Sequence, residues 1–368
     1  MKIKHKLMLI ILILALLIST FSNTSYAETY TSSQNPSLYS EAAILIDAKT
    51  GKTLYGKNEN EKKFPASTTK ILTAIIILEK CNLTDKATAS YNAVMSIPSG
   101  YSNAAIKPND TLSIQDLLNV FLIHSANEAG FILAEHVSGS ITAFADLMNE
   151  KAQQIGCKNT HFTNPSGIHD DDHYSTAYDM ALIAKYCMEN DTFRKIVSTT
   201  SCSIPSADGS VQKFPNTNSL IIDSSKYYYK YAIGIKTGYT SQAKNCLIAA
   251  SSKNNLELIT VVLGASQTED NKSARYVDTI NLFNYGYDNY KAEEILAQNK
   301  IELNKDLSVP IPEGLVVGKI NYNIAGFTDL IAKNDVIKSD MITLITQIVL
   351  AIFLLVVLSK LLSRKKLK

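Results

Sequence analysis

The chain has 368 residues, a formal net charge of +2 and a balanced composition in which 46% of residues are hydrophobic. Setting aside three lysines in residues 1–27 and five Lys or Arg in residues 341–368 leaves 28 basic residues against 34 acidic ones, a net of −6 between the two ends. That balance excludes a basic surface for nucleic acid, so an anionic substrate has to be caught by a local cluster.

Lys2, Lys4 and Lys6 precede an unbroken apolar run from Leu7 to Ile18, and small residues follow up to Ser25-Tyr26-Ala27. This is the pattern of a secretory signal over 1–27, cut after Ala27. Residues 28–38 read as a polar leader. Ala42–Asp47, a Lys49-Thr50-Gly51 turn and Thr53–Tyr55 predict a β-hairpin. A helix is expected from about Ser67 to Cys81, with Ile71, Leu72, Ile75 and Leu78 on one face. Further helices are expected over Ile114–Ile123, Ile141–Ile155 and Thr176–Glu189, the last opening on a Thr176-x-x-Asp179 capping pattern.

After Ser203 strands return, at Ala232–Lys236, Cys246–Ser251 and Leu256–Leu263, before a helix over Ser273–Tyr285. Strands at both ends with helices between predict an α+β domain over 39–290, built on an antiparallel sheet flanked by helices. Residues 291–335 read as a small C-terminal β module. From 341 to 362 the chain is apolar enough for one transmembrane helix, and the basic tail 363–368 belongs on the cytoplasmic side. The topology implied is a globular part outside the membrane and a C-terminus inside. Cys81, Cys157, Cys187, Cys202 and Cys246 are odd in number and lack a C-x-x-C pair, which argues against a zinc site or a disulfide framework.

Serine is a poor nucleophile until a base takes its proton. Ser67-Thr68-Thr69-Lys70 supplies one a helical turn later, at the start of an apolar-periodic helix. The same spacing recurs at Ser210–Lys213, Ser241–Lys244 and Ser363–Lys366, so the motif alone is weak. Lys70 has to be neutral to act, and burial with a second nearby cation favours that. Ser125-Ala126-Asn127 suits a short loop between helices. Lys236-Thr237-Gly238 ends a predicted strand, whose edge can bond an extended peptide while Gly238 allows close approach. Lys49-Thr50-Gly51 repeats the tripeptide in a turn and is given a structural role. Asp170-Asp171-Asp172-His173 reads as a solvated turn in preference to a metal cluster. His124 reads as packing, and Tyr227–Tyr229 with Tyr231 as edge-strand packing.

The order S-x-x-K, S-x-N, K-T-G resembles penicillin-binding proteins and serine β-lactamases. Asp47–Tyr55, Phe64–Lys70, Thr163–Ile168, His173–Ala181 and Gly234–Thr240 sharpen the resemblance to the D-alanyl-D-alanine carboxypeptidases, the low-molecular-mass penicillin-binding proteins of peptidase family S11. The resemblance spans roughly residues 39–290 and implies a D,D-peptidase catalytic domain with no cofactor and no metal. It implies that Ser67 is acylated, with Lys70 as its base and Ser125 relaying a proton to the leaving D-alanine. Asn127 would hold the acyl side chain, and Lys236, Thr237, Gly238 and Arg275 would receive the substrate and its terminal carboxylate. The backbone amides of Ser67 and Tyr239 would form the oxyanion hole. The implied partners are peptidoglycan stem peptides ending in D-Ala-D-Ala, β-lactam antibiotics as covalent inhibitors, and the membrane through the C-terminal helix. The alternatives are a β-lactamase-type hydrolase and a catalytically silent cell-wall-binding scaffold.

Overall fold

The computed structural model describes residues 35–205, 209–268 and 272–292. The chain divides into two units, Met1–Lys253 with Glu257–Asn289 and Asn254–Leu256 with Tyr290–Lys368. The first contains everything discussed below apart from Leu256, the first residue of one strand. The expected signal at 1–27, the helix at 341–362 and the tail at 363–368 lie outside the described residues, as does the 291–335 module beyond residue 292. Among the described residues no helix is long and apolar enough to cross a membrane.

The predicted hairpin is present as β1 (Ala42–Asp47) and β2 (Thr53–Lys57), paired antiparallel. Its Lys49-Thr50-Gly51 serves the turn. Asp47 Oδ1 accepts from both the amide and the hydroxyl of Thr50, each at 2.6 Å.

β1 is buried along its whole length. It lies second in a five-stranded sheet of order β2-β1-β9-β8-β7, completed by β7 (Ala232–Thr240), β8 (Lys244–Lys253) and β9 (Leu256–Ala265). β1 runs antiparallel to β9 with Ile44 opposite Val261, and β7 antiparallel to β8 with Thr237 opposite Leu247. Alternation along the strands divides their side chains between two faces. Ile44, Ile46, Ile248, Ile259 and Val261 enter the main core. Leu45 and Leu258 face the other way, toward the C-terminal helix α8 (Ala274–Asn289). There a Cβ added to Gly286 would come within 2.6 Å of Leu258 and 3.0 Å of Leu45. α8 also secures the chain entering β1, since the Asp278 carboxylate accepts from the amides of Tyr39 and Ser40.

The main-core face is filled by α1 (Lys70–Lys80), buried without interruption from Lys70 to Ile77. A helix apolar on all sides belongs inside a domain. Around it pack α4 (Asn127–Ser138), α5 (Ile141–Ile155), α6 (Ala177–Met188) and α7 (Asp191–Val197). Each fully buried Ile or Leu of α1 contributes roughly 2 kcal/mol. Thr176 caps α6 as its capping pattern predicts, accepting from the Asp179 amide at 3.0 Å. The Asp179 carboxylate itself bonds the amides of Lys158 and Asn159 and the Thr160 hydroxyl, fastening the loop after α5.

Some elements differ from expectation. The predicted 114–123 helix is a short α3 (Ile114–Asn119) followed by a π turn, Val120–His124. Two antiparallel ribbons, β3 (Lys86–Thr88) with β4 (Thr111–Ser113) and β5 (Ser201–Pro205) with β6 (Val211–Pro215), were not legible, nor was α2 (Tyr91–Met95). Tyr227, Tyr229 and Tyr231 precede β7 and do not lie on an edge strand. Tyr227 stacks on Tyr276 and Tyr229 on Phe283, so it is α8 that they pack against.

Candidate active site

Ser67 is the one residue from Pro65 to Lys70 that is not buried. It lies in a 3₁₀ turn, Ala66–Thr69, that leads directly into α1, where the helix N-terminus favours negative charge. Ala66 adopts φ +48°, a conformation that survives only where its surroundings over-determine it. Two glycines supply the close contacts. A Cβ on Gly238 of β7 would approach Ser67 N to 3.1 Å, and one on Gly167 would approach Ala66 O to 1.8 Å.

His173 braces the same turn. The Thr163 amide donates to its Nδ1 at 3.1 Å, so the ring proton sits on Nε2, and Thr69 Oγ1 accepts from it at 2.8 Å. Burial pushes His173 down to about 3, which keeps it neutral. The expected solvated turn is therefore solvated only at Asp170–Asp172; the histidine is internal. No cluster of three metal-binding side chains occurs among the described residues.

Lys70 is fully buried, and its Nζ has three oxygen neighbours. Ser67 Oγ lies at 2.9 Å, Asn127 Oδ1 at 2.7 Å and the Ser166 carbonyl at 2.8 Å. The orientation of the Asn127 amide follows from its other end, where Nδ2 meets the Ser102 carbonyl at 2.8 Å and must be the donor. Burial first, and then the Lys236 charge, hold Lys70 well below the usual lysine range, against an opposing pull from Glu128. A neutral amine has two N–H bonds and one lone pair. Asn127 Oδ1 and the Ser166 carbonyl can only accept, so they take the two N–H bonds. The lone pair then faces the Ser67 hydroxyl.

Ser125 follows the π turn at φ +72° and is nearly buried, on the rim of the same cleft. β7 runs through Thr240, so Lys236-Thr237-Gly238 lies within the strand and not at its end. Lys236 Nζ donates to the Thr237 carbonyl at 3.1 Å. Burial, then the neighbouring Arg275, lower Lys236 to about 7. Thr237 Oγ1 lies 2.7 Å from Thr217 Oγ1. Arg275 donates from Nη1 to the Gly238 carbonyl at 3.1 Å, while its buried Nε has no partner among the described residues. Tyr276 supports both sides of this end. Its ring lies under the Arg275 guanidinium, and its hydroxyl donates to the Thr217 carbonyl while accepting from the Ser219 amide.

These residues line one cleft of about 490 Å³, with Ser67, Ser125, Asn127, Thr237, Gly238, Tyr239 and Arg275 in its wall. Lys70 and Lys236 sit buried behind it. His124 packs against Phe214 with the rings tilted and their centroids 4.6 Å apart, and its Nδ1 is buried and unpartnered among the described residues. All five cysteines are free.

Sequence reasoning missed Ser166, Thr217 and Ser102. Ser166 and Ser102 contribute backbone carbonyls, which no side-chain motif marks. The signal for Ser166 was Asn164, whose Oδ1 gathers the amides of Ser166, Gly167 and Ile168 and so aims the loop at Lys70.

A family model described as D-alanyl-D-alanine carboxypeptidase, Peptidase S11, matches residues 29–267. The D-alanyl-D-alanine carboxypeptidase DacF of Bacillus subtilis is 34% identical over 304 residues, covering 80% of this chain and 74% of that protein. DacA of Haemophilus influenzae is 28% identical over 363 residues, covering 83% of this chain and 86% of the relative. Among solved structures, the Streptomyces K15 DD-transpeptidase has a TM-score of 0.63 at 29% identity, over 69% of this chain and 99% of that one. The D-alanyl-D-alanine carboxypeptidase of Mycobacterium tuberculosis has 0.64 at 27%, over 70% and 94%.

Proposed function

The chain belongs to the S11 family of serine D-alanyl-D-alanine carboxypeptidases, which bind penicillin, and on that premise we propose how its own residues remove the terminal D-alanine from a peptidoglycan stem pentapeptide. Neutral Lys70 takes the proton of Ser67 as Oγ attacks the carbonyl of the penultimate D-alanine. The new C–O bond leaves an oxyanion for the backbone amides of Ser67 and Tyr239. As the C–N bond breaks, Ser125 passes a proton to the departing amine, and water then frees the acyl group. Lys236, Thr237 and Arg275 receive the terminal carboxylate. Gly238 leaves room for the peptide backbone beside Ser67.

The observation that carries this reading is the Lys70 geometry, in which two obligate acceptors leave the amine lone pair for Ser67. Asn127 takes a different first duty from the one expected of it. Its amide is spent on Lys70 and Ser102, so it positions the base and the cleft wall before it touches any acyl side chain. Among the described residues, none lining the cleft is Asp or Glu, so the water-activating glutamate of a β-lactamase-type reading has no candidate there.

Digestion of pentapeptide muropeptides by wild type and Ser67→Ala, read by mass, tests the reaction. Loss of one terminal alanine with wild type only supports it, and equal activity in the variant overturns it. The substrate lies outside the cytoplasmic membrane, and the signal at 1–27 and apolar segment at 341–362 supply the route and the tether. On this topology, protease added to protoplasts removes the catalytic domain; full protection would refute it.

A further inference from the structure

The catalytic cleft has a neighbour. Beyond the turn joining β7 to β8 lies a second cavity of about 360 Å³, walled by Lys62, Lys63, Phe64, Tyr174, Gln242 and Glu41, with Asp171 at its rim. Gln242 lines both cavities, its side chain exposed and without a hydrogen bond among the described residues. Lys62, Lys63 and Phe64 run directly into the turn that holds Ser67. The two cavities are therefore neighbours across a single turn.

The direction of a bound peptide follows from the first site. Its terminal carboxylate belongs with Lys236, Thr237 and Arg275, and its acyl residue with Ser67 beside Gly238. The upstream residues then pass Tyr239 and Thr240 toward Gln242. An extended peptide rises about 3.3 Å per residue, so the second residue before the acyl D-alanine arrives at the turn. In a peptidoglycan stem that residue is a γ-linked D-glutamate, which keeps a free carboxylate.

The charges of the second cavity suit that group. Lys63 is committed to Glu41 and Glu61, each at 2.8 Å, and Lys244 also binds Glu41. Asp171 faces His169 at 3.5 Å from an almost fully exposed side chain. Lys62 differs from its neighbours. Its Nζ lies 4.0 Å from the centroid of the Tyr174 ring and has no carboxylate partner among the described residues. An ammonium held against an aromatic face keeps its charge and its donors for an incoming anion. Gly264, at φ +68°, leaves no Cβ to press on Glu41 and so keeps that wall in place.

We infer that this cavity is an upstream subsite of the same enzyme, in which Lys62 receives a free carboxylate carried by the substrate two residues before the acyl D-alanine. The inference rests on the carboxypeptidase reading and adds a preference among its substrates.

The test uses two synthetic pentapeptides, L-Ala-γ-D-Glu-L-Lys-D-Ala-D-Ala and the same peptide with the D-Glu α-carboxylate converted to its amide. Wild type should favour the acid by about fivefold in kcat/KM, expressed mainly in KM, the scale of one partly exposed ion pair. The preference should shrink in 0.5 M salt. Lys62→Ala should bring the acid-to-amide ratio to about one, and Lys62→Arg should retain it. An equal ratio in wild type, or the same ratio in wild type and Lys62→Ala, overturns the subsite while leaving the carboxypeptidase reading intact. No D-alanine from either peptide overturns both.

Discussion

Ser166 presents its backbone carbonyl to Lys70 Nζ at 2.8 Å, across 96 positions of chain. A carbonyl cannot donate, so this contact and Asn127 Oδ1 together dictate where the amine lone pair points. The Lys70 amine is oriented by two groups, only one of which is a side chain.

Replacing that side chain with a charged isostere should move the pH profile. In Asn127→Asp a carboxylate would sit 2.7 Å from Nζ, where the wild type has a neutral amide oxygen. An opposite charge favours the protonated amine, so the fraction of neutral Lys70 falls about tenfold for each unit of upward shift. The rate of acylation by a fluorescent penicillin should therefore drop at pH 7 and recover as the pH is raised. A uniform loss at all pH values would contradict this account.

His173 makes the fold sensitive to acid. Its folded value, about 3, lies below the ordinary 6.5. Between those limits the unfolded chain binds a proton that the folded one refuses, so stability falls as pH drops from 6.5 toward 3. His173→Gln keeps a donor for Thr69 and removes the titration. Its urea midpoint should change less across that window than that of wild type; parallel curves would refute the assignment.

Lys236 has an effect of the same sign at higher pH. It is lowered to about 7 from 10.5, so the unfolded chain holds an extra proton between those values. Stability should rise with pH across that window. Lys236→Met should abolish penicillin acylation yet raise the melting temperature more at pH 6 than at pH 10. A gain of equal size at both pH values would count against a buried charge.

Two glycines of similar φ separate strain from collision. Gly139 ends α4 at φ +75° with nothing within 4 Å of an added Cβ, whereas Gly167 at φ +74° would strike Ala66 O. Gly139→Ala should cost about 1 kcal/mol, the left-handed penalty alone. Gly167→Ala should cost more than about 3 kcal/mol, as overpacked buried sites do, and should slow acylation by displacing the Ser67 turn. Chemical denaturation and penicillin labelling read the two effects separately.

Much of this was legible in the residues. β1 and β2 followed from alternation around a turn, α5 from its 3.6-residue period, and the start of α6 from Thr176 and Asp179. The segments holding Ser67, Ser125 and Lys236 followed from spacing and surrounding blocks. What was not legible has a common physical origin. Strands of three residues, such as β3 and β4, are too short to show a period. Thr217 is held at the cleft by partners far along the chain, its amide on the Ile123 carbonyl, its carbonyl on the Tyr276 hydroxyl and its own hydroxyl beside that of Thr237. No motif marks Lys62, and only the fold brings it to one cavity with Tyr174 and Gln242.

The placement of β1 has a bearing on the order of events as the protein is made. Ile44 finds its sheet partner, Val261, only after more than two hundred further residues have been synthesised. Until then β1 has β2 alone on one flank, and a lone hairpin is marginal in water. A polypeptide that emerges with its first strand waiting for one of its last stays open for most of its synthesis. On the exported topology proposed above, the sheet would close only after most of the chain has crossed the membrane.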